Sequence, residues 1–316
     1  MKYYIGIDLG GTNIISGVVD EEYRILATAA MPTRLPRSAK EIVKDMVKAT
    51  KEAIDRAGLF MDDITSIGIG VPGTANKETG LVEYANNLEF YNEPLLQLLK
   101  EYFDKPIYFD NDANAAAYGE YLAGCGRGTK SLVMVTLGTG VGGGIVLNDK
   151  IYTGSNYAGG ELGHISIKFD GKECNCGRRG CFEVYGSATA LTSMARDAME
   201  KARDSKMWEI CGGDLDRVEG KTVFAASKLS DRTAKEVLDT YIYYLSVGIT
   251  DIINIFQPEV LCIGGGISKA GDMFLVPLKE LVGRQVYTKN SNHQTKIRIA
   301  TLNNDAGIIG AAMLKE

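Results

Sequence analysis

Three apolar strands of this chain run directly into glycine-rich turns, and any fold it adopts must accommodate all three. Tyr4-Ile5-Gly6-Ile7 leads into Asp8-Leu9-Gly10-Gly11-Thr12, Ser131 to Thr136 into Gly138-Thr139-Gly140, and Val260 to Ile263 into Gly264-Gly265-Gly266. Glycine tolerates positive φ and lets backbone N–H groups approach an anion, while a threonine hydroxyl adds a donor. Any one of these segments could be no more than a tight turn. Three together point to a ligand that carries phosphates. Extended segments follow the first two, Ile14 to Val19 and Ile145 to Leu147, so each reads as a hairpin, the second with its turn over 137–144. One constant offset carries Leu9 onto Leu137, Gly10 onto Gly138, Val18 onto Val146 and Asp20 onto Asn148, as in a duplicated unit. Gly138 to Gly143 spells G-x-G-x-x-G, but a dinucleotide motif needs a helix where Ile145-Val146-Leu147 reads as strand. Gly220-Lys221-Thr222 ends like a P-loop, yet Leu215 stands where its first glycine belongs.

Helices are expected over about 39–57, 113–123, 187–203 and 232–256, with a closing helix over 305–314. The first has a capping box, Ser38 with Glu41, an apolar stripe through Ile42, Val43, Met46, Val47, Ala53 and Ile54, and Gly58 as its stop. The fourth ends before Pro258. Length alone, 316 residues, is a prior for two domains. Forty acidic against 35 basic side chains leave a net charge of −5, which offers no global positive field to nucleic acid or to an anionic membrane. No apolar run reaches the ~18 residues of a spanning helix, and no signal-peptide core precedes Asp8. Six cysteines in such a chain fit a reducing compartment, so a cytoplasmic protein acting on a small molecule is expected.

Asp8 ends a strand against the first turn, where a carboxylate either organises Mg²⁺ on a nucleotide or simply bonds the backbone. Asn111-Asp112-Ala113-Asn114 opens a helix with more polar groups than one N-cap requires. Phosphoryl transfer to an alcohol needs a carboxylate to accept the hydroxyl proton, and Asp112 is the candidate. His164 is one of two histidines, and Cys174, Cys176 and Cys181 follow it closely in the chain. Three thiols and an imidazole suit tetrahedral Zn²⁺, and four protein ligands leave no position for a catalytic water, so the site would be structural. A redox pair beside a bystander histidine is the plainer alternative. Glu161 and Glu183 flank this loop, and carboxylates with Asn amides suit sugar hydroxyls.

Taken together these residues resemble the ROK family (repressor, open reading frame, kinase) of the sugar kinase, heat-shock protein and actin superfamily, over essentially the whole chain. Asp8 to Thr12 resembles the family's first phosphate motif, Leu137 to Gly144 its second, and Gly264-Gly265-Gly266 its adenosine motif. Glu161-Leu162-Gly163-His164 resembles the E-x-G-H signature, and Cys174 to Cys181 fits the C-x-C-G-x-x-G-C zinc signature. Asn111 to Ala117 with Gly119-Glu120 and Gly126-Arg127-Gly128 looks most like the bacterial glucokinases of the family. Glu89-Phe90, where the family often has Pro-Trp, departs from the pattern and bears on which hexose is taken. The family's repressors place a DNA-binding domain ahead of the first phosphate motif, which begins here at residue 8.

The resemblance implies an α/β, two-domain actin-like or hexokinase-like (ribonuclease H-like) fold with an interdomain cleft. The small domain is expected over 1–118 plus a C-terminal helix over 303–316, and the large one over 119–302 with the zinc loop 164–181. It implies phosphorylation of a hexose at the 6-hydroxyl, glucose first, with another hexose kinase of the family or a non-enzymatic sugar sensor as the alternatives. Asp112 would be the base. Gly73, Asn87, Asn111, Asp112, Glu161, His164 and Glu183 would contact the hexose. Asp8, Gly10, Gly11, Thr12, Gly138, Thr139, Gly140 and Gly264 to Gly266 would hold Mg-ATP, and His164, Cys174, Cys176 and Cys181 the zinc. Family members often form dimers or tetramers, so a homo-oligomer is expected, with neither nucleic acid nor membrane as partner.

Overall fold

The structure, a computed structural model, describes residues 1–315. The chain begins with β1 (Tyr3–Leu9), β2 (Asn13–Asp20) and β3 (Ile25–Pro32), then passes through α1 (Ala39–Arg56) to β4 (Ile64–Val71). A small sheet of β5 (Thr74–Asn76), β6 (Leu81–Ala85) and β7 (Phe90–Glu93) and the short α2 (Leu95–Lys100) precede β8 (Ile107–Asn111) and α3 (Asp112–Leu122). There follow β9 (Ser131–Leu137), β10 (Val141–Leu147), β11 (Lys150–Ile151), α4 (Glu183–Gly186), α5 (Ala188–Lys201), α6 (Lys206–Ile210) and α7 (Gly220–Lys228). The chain closes with α8 (Arg232–Phe256), β12 (Val260–Gly264), α9 (Asp272–Gln285), β13 (Lys296–Ile299) and α10 (Asp305–Ala312).

One main sheet has the order β3-β2-β1-β4-β8 and the other β11-β10-β9-β12-β13, so each reads third, second, first, fourth, fifth along its own run of strands. The outer pairs agree as well: β2 and β3, like β10 and β11, are antiparallel, while β4 and β8, like β12 and β13, are parallel. The offset that carries Leu9 onto Leu137 also carries the start of β2, Asn13, onto the start of β10, Val141. Two compact units result, one of Met1–Val133, Gly144–Gly160 and the segment from Ala300 on, the other of Met134–Gly143 and Glu161–Ile299. Among the described residues no helix is long and apolar enough to cross a membrane.

In the first unit the two faces of β1 have different partners because side chains alternate along a strand. Ile5, Ile7 and Leu9 are fully buried in a cluster with Ile42, Val43 and Met46 of α1, each side chain stabilising by about 1.5–3 kcal/mol on burial. The Ser38–Glu41 capping box forms as the sequence predicts, and Gly58 follows the helix at φ +69°. Gly6 faces the other way. A Cβ there would stand 1.9 Å from the carbonyl oxygen of Ile308, and one on Gly68 of β4 only 1.7 Å from that of Ala311, so α10 lies directly on the sheet. The same helix meets α3 as closely, since a Cβ on Gly310 would fall 1.7 Å from the Ala115 oxygen.

In the second unit α8 runs from its Asp231 cap, which accepts from the Ala234 N–H at 2.7 Å, to Gln257 in the left-handed region before Pro258. Phe182 is fully buried, in space that Gly186 and Gly248 leave open. One expectation fails here: the second turn is not 137–144, because Gly142, Gly143 and Gly144 belong to β10. Gly144 serves packing rather than turning, as a Cβ on it would lie 2.6 Å from the Ala113 oxygen.

Candidate active site

Strand register brings the carboxylates of the first unit together. Asp8 pairs with Gly70 across β1 and β4, and Gly70 with Asp110 across β4 and β8, so three neighbouring strands end level. Just beyond, Asn111 caps α3 by accepting from the Ala113 and Asn114 N–H groups, and its Nδ2 donates to the Gly73 carbonyl at 3.0 Å. Asp112, the first residue of α3, accepts from the Ala113 N–H at 2.9 Å, where the helix dipole favours the charged carboxylate. Gly73 is glycine by necessity: φ is +82°, and a Cβ would sit 1.9 Å from the Tyr84 oxygen. Asn87 lies against the first turn, its Cβ 3.7 Å from where one on Gly11 would be.

The first turn is braced from behind. Gly10 N–H donates to the Asn13 carbonyl at 2.9 Å, and the buried Thr33 donates its hydroxyl to the Gly10 carbonyl at 2.7 Å. Burial raises the Asp8 carboxyl above its usual range, and Gly307 of α10 comes within 3.1 Å of it at the Cβ position. A carboxylate charged against such a penalty is one that a divalent cation relieves, so Asp8 fits Mg²⁺ on a nucleotide.

Motif reading misses the pair that anchors this end of β8. Asp110, 2% exposed, accepts from Asn111 N–H at 2.8 Å and Asn114 Nδ2 at 2.9 Å, and forms an ion pair with Lys77 at 2.5 Å. The polar run from Asp110 to Asn114 is its only sequence signal, and the site of Lys77 on a distant hairpin leaves none.

In the second unit Val141 gathers the polar groups. Its N–H donates to Glu183 Oε2 at 2.9 Å, and a Cβ on Gly163 would lie 2.2 Å from its carbonyl oxygen, which seats the Glu161–His164 turn on the start of β10. Glu183 therefore also props the Gly138–Gly140 turn, held on its other side by Ala188 N–H donating to the Gly138 carbonyl at 2.8 Å. Gly265, at φ +86°, comes within 2.4 Å of the Leu137 oxygen at its Cβ position, so the second and third glycine turns are neighbours.

His164, Cys174, Cys176 and Cys181 offer donor atoms that all lie within 4.8 Å of one another. His164 Nδ1 is 3.7 Å from Cys174 Sγ, and Cys176 Sγ 3.6 Å from Cys181 Sγ. A tetrahedral ion with Zn–S bonds of about 2.3 Å places its sulfurs about 3.8 Å apart, so the set fits zinc. Burial pushes the Cys181 thiol up to about 12, while the backbone hydrogen bond from Arg178 holds Cys176 below the usual thiol range. Gly177 and Gly180, both at positive φ, wrap the loop. Cys125, Cys211 and Cys262 are buried and lie outside this set.

Residues 4–316 match the ROK family. The glucokinase of Halalkalibacterium halodurans is 37% identical over 99% of this chain and 94% of its own. A ROK family glucokinase from Streptomyces griseus, solved in complex with glucose and AMPPNP, superposes with a TM-score of 0.80 at 34% identity over 98% of each chain. The ROK hexokinase of Thermus thermophilus superposes with a TM-score of 0.82 at 29% identity, over 98% of this chain and 97% of its own. A xylose repressor of Caldicellulosiruptor bescii is also similar, 30% identical over 97% of this chain and 76% of its own. Two sheets of one strand order, with the likeness to ROK glucokinases and hexokinases of known structure, place the chain among sugar kinases of the actin-like fold. The chain belongs to the ROK family, and its likeness to the family's glucokinases makes it a hexose kinase.

Proposed function

We propose that the protein transfers the γ-phosphoryl group of Mg-ATP to the 6-hydroxyl of glucose, giving glucose 6-phosphate and ADP. The position of Asp112 carries this assignment: it opens α3 beside the Asn111 cap, in the same unit as Asp8 and the Gly10-Gly11-Thr12 turn. Its carboxylate takes the hydroxyl proton as the sugar oxygen bonds to the γ-phosphorus and the bond from phosphorus to the bridging oxygen breaks. Asn87, Asn111, Asp112, Glu161, His164 and Glu183 are the residues assigned to the hexose hydroxyls, with Gly73 holding Asn111. Gly138, Thr139, Gly140 and Gly264 to Gly266 present backbone N–H groups to the nucleotide. Asp8 would hold Mg²⁺, which would supply charge neutralisation on the phosphates. Zn²⁺ on His164, Cys174, Cys176 and Cys181 serves structure, with Nδ1 of His164 toward the sulfurs and Nε2 left for a hydroxyl.

Steady-state phosphorylation across glucose, mannose, fructose, N-acetylglucosamine and N-acetylmannosamine, with Asp112→Asn run alongside, tests this. Glucose should lead by on the order of 10² in kcat/KM, and Asp112→Asn should lower kcat by about 10²–10⁴. Near-normal turnover in that variant removes Asp112 as the base. A different preferred sugar leaves the mechanism and replaces the acceptor. Glucose binding without turnover favours a sugar sensor, in keeping with the similarity to a xylose repressor.

A further inference from the structure

A cavity of about 640 Å³ opens in the second unit between α9 and β13, and none of its lining residues belongs to the motifs described above. That volume is typical of small-molecule sites. Its floor is aliphatic, from Ile253, Val282, Val286 and Ile297, and its rim carries Lys279, Lys289, Lys296 and Arg298, with no carboxylate among the lining residues. In a chain of net charge −5 such a concentration of positive charge is local and one-sided. Among the described residues none of the three lysines is in an ion pair.

Gly283 supplies an independent observation. It sits within α9 and lines the cavity alongside Lys279 and Val282, the i, i+3 and i+4 positions of one helix face, with Val286 just beyond the helix end. A helical glycine is less stable than alanine, yet nothing here requires one: its φ is not positive, and a Cβ on it would meet nothing within 4 Å. At Gly6, Gly68 and Gly310 the backbone of a neighbour excludes a side chain, whereas at the exposed Gly283 a side chain would meet only open space. The missing side chain keeps room that the chain itself does not fill.

We propose that this cavity binds a small organic anion, an aliphatic body with one carboxylate or phosphate head. The aliphatic floor takes the hydrocarbon and the three lysines take the head. A bare inorganic anion would leave the floor wet, and a nucleotide would find no aromatic residue to stack on among those lining it.

The full-length protein is titrated by calorimetry with octanoate, octyl phosphate, octanol and inorganic phosphate, each below its micellar range. Gly283→Leu, which fills the cavity, and the double variant Lys279→Gln/Lys296→Gln are run in parallel, with thermal unfolding as the folding control. Octanoate or octyl phosphate should bind the wild-type protein with a Kd below about 1 mM, and whichever binds tighter identifies the head group. Both variants should weaken that binding at least tenfold. Octanol or inorganic phosphate binding as tightly overturns the proposal, as does Gly283→Leu titrating like the wild type or no probe binding at all. A change of oligomeric state in Gly283→Leu on size exclusion, with titration unaltered, makes the groove an interface between copies instead.

Discussion

At the scale of single residues, Asp8 shows function set against stability. Burial raises its carboxyl above the usual range, so the folded protein penalises the charged form that the Mg²⁺ proposed above would need. The sign follows from linkage: a carboxyl raised in the folded state costs nothing below its unfolded value near pH ~4 and costs progressively more as pH rises through the folded value. Asp8→Asn should therefore unfold at a higher temperature than the wild type at pH 7, with the advantage vanishing by about pH 4. Its kcat/KM should fall by on the order of 10²-fold, the scale of losing one electrostatic stabiliser. An equal or lower melting temperature at pH 7 would sink this account. Glu183 shows the other limit of reading single residues. Its motif position marks it for a sugar, and the geometry adds a second duty, accepting from Val141 N–H to hold the second turn. Which side chains meet in space, as with Lys77 and Asp110, depends on long-range contacts that spacing along a chain does not encode.

At the scale of elements, boundaries are legible where chemistry marks them. The Ser38–Glu41 box and Gly58 bracket α1, Asp231 and Pro258 bracket α8, and both helices fall as the spacing predicts. The small sheet β5–β7, the edge strand β3 and the glycines of β10 are not legible, because short strands carry little periodicity and packing glycines look like turn glycines. A substitution series separates the two kinds. Gly310→Ala must push apart α10 and α3, where its Cβ would meet the Ala115 oxygen at 1.7 Å, and should destabilise by about 3 kcal/mol or more. Gly283→Ala, with open space around it, should stabilise by about 0.5–1 kcal/mol. Denaturant midpoints at constant slope measure both, and a harmless Gly310→Ala would refute the close approach. Beyond Phe182 the loop 170–182 brings no large apolar side chain to a core, so the zinc proposed above would hold it. Cys176→Ser should lose zinc by elemental analysis and about 4 kcal/mol of stability together, and wild-type protein free of zinc would end that assignment.

At the scale of the molecule, one strand order used twice explains why two glycine-rich hairpins recur at a constant offset, Leu9-Gly10 in one and Leu137-Gly138 in the other. The two compact units carry different polar groups: Asn87, Asn111 and Asp112 in the first, Glu161, His164 and Glu183 in the second. A hexose that binds only the folded protein must stabilise it against unfolding. Ligand at 100 times its Kd adds about 2.7 kcal/mol to the folded state. With an unfolding entropy of about 2.1 cal/mol/K per residue, that raises the melting temperature of 316 residues by about 4 °C. Glucose should give this rise across the whole transition in wild type and in Asp112→Asn alike, because the variant lacks the base and keeps the other contacts. No rise in the variant would make Asp112 a determinant of affinity rather than of proton transfer, and scanning calorimetry with and without glucose distinguishes these outcomes.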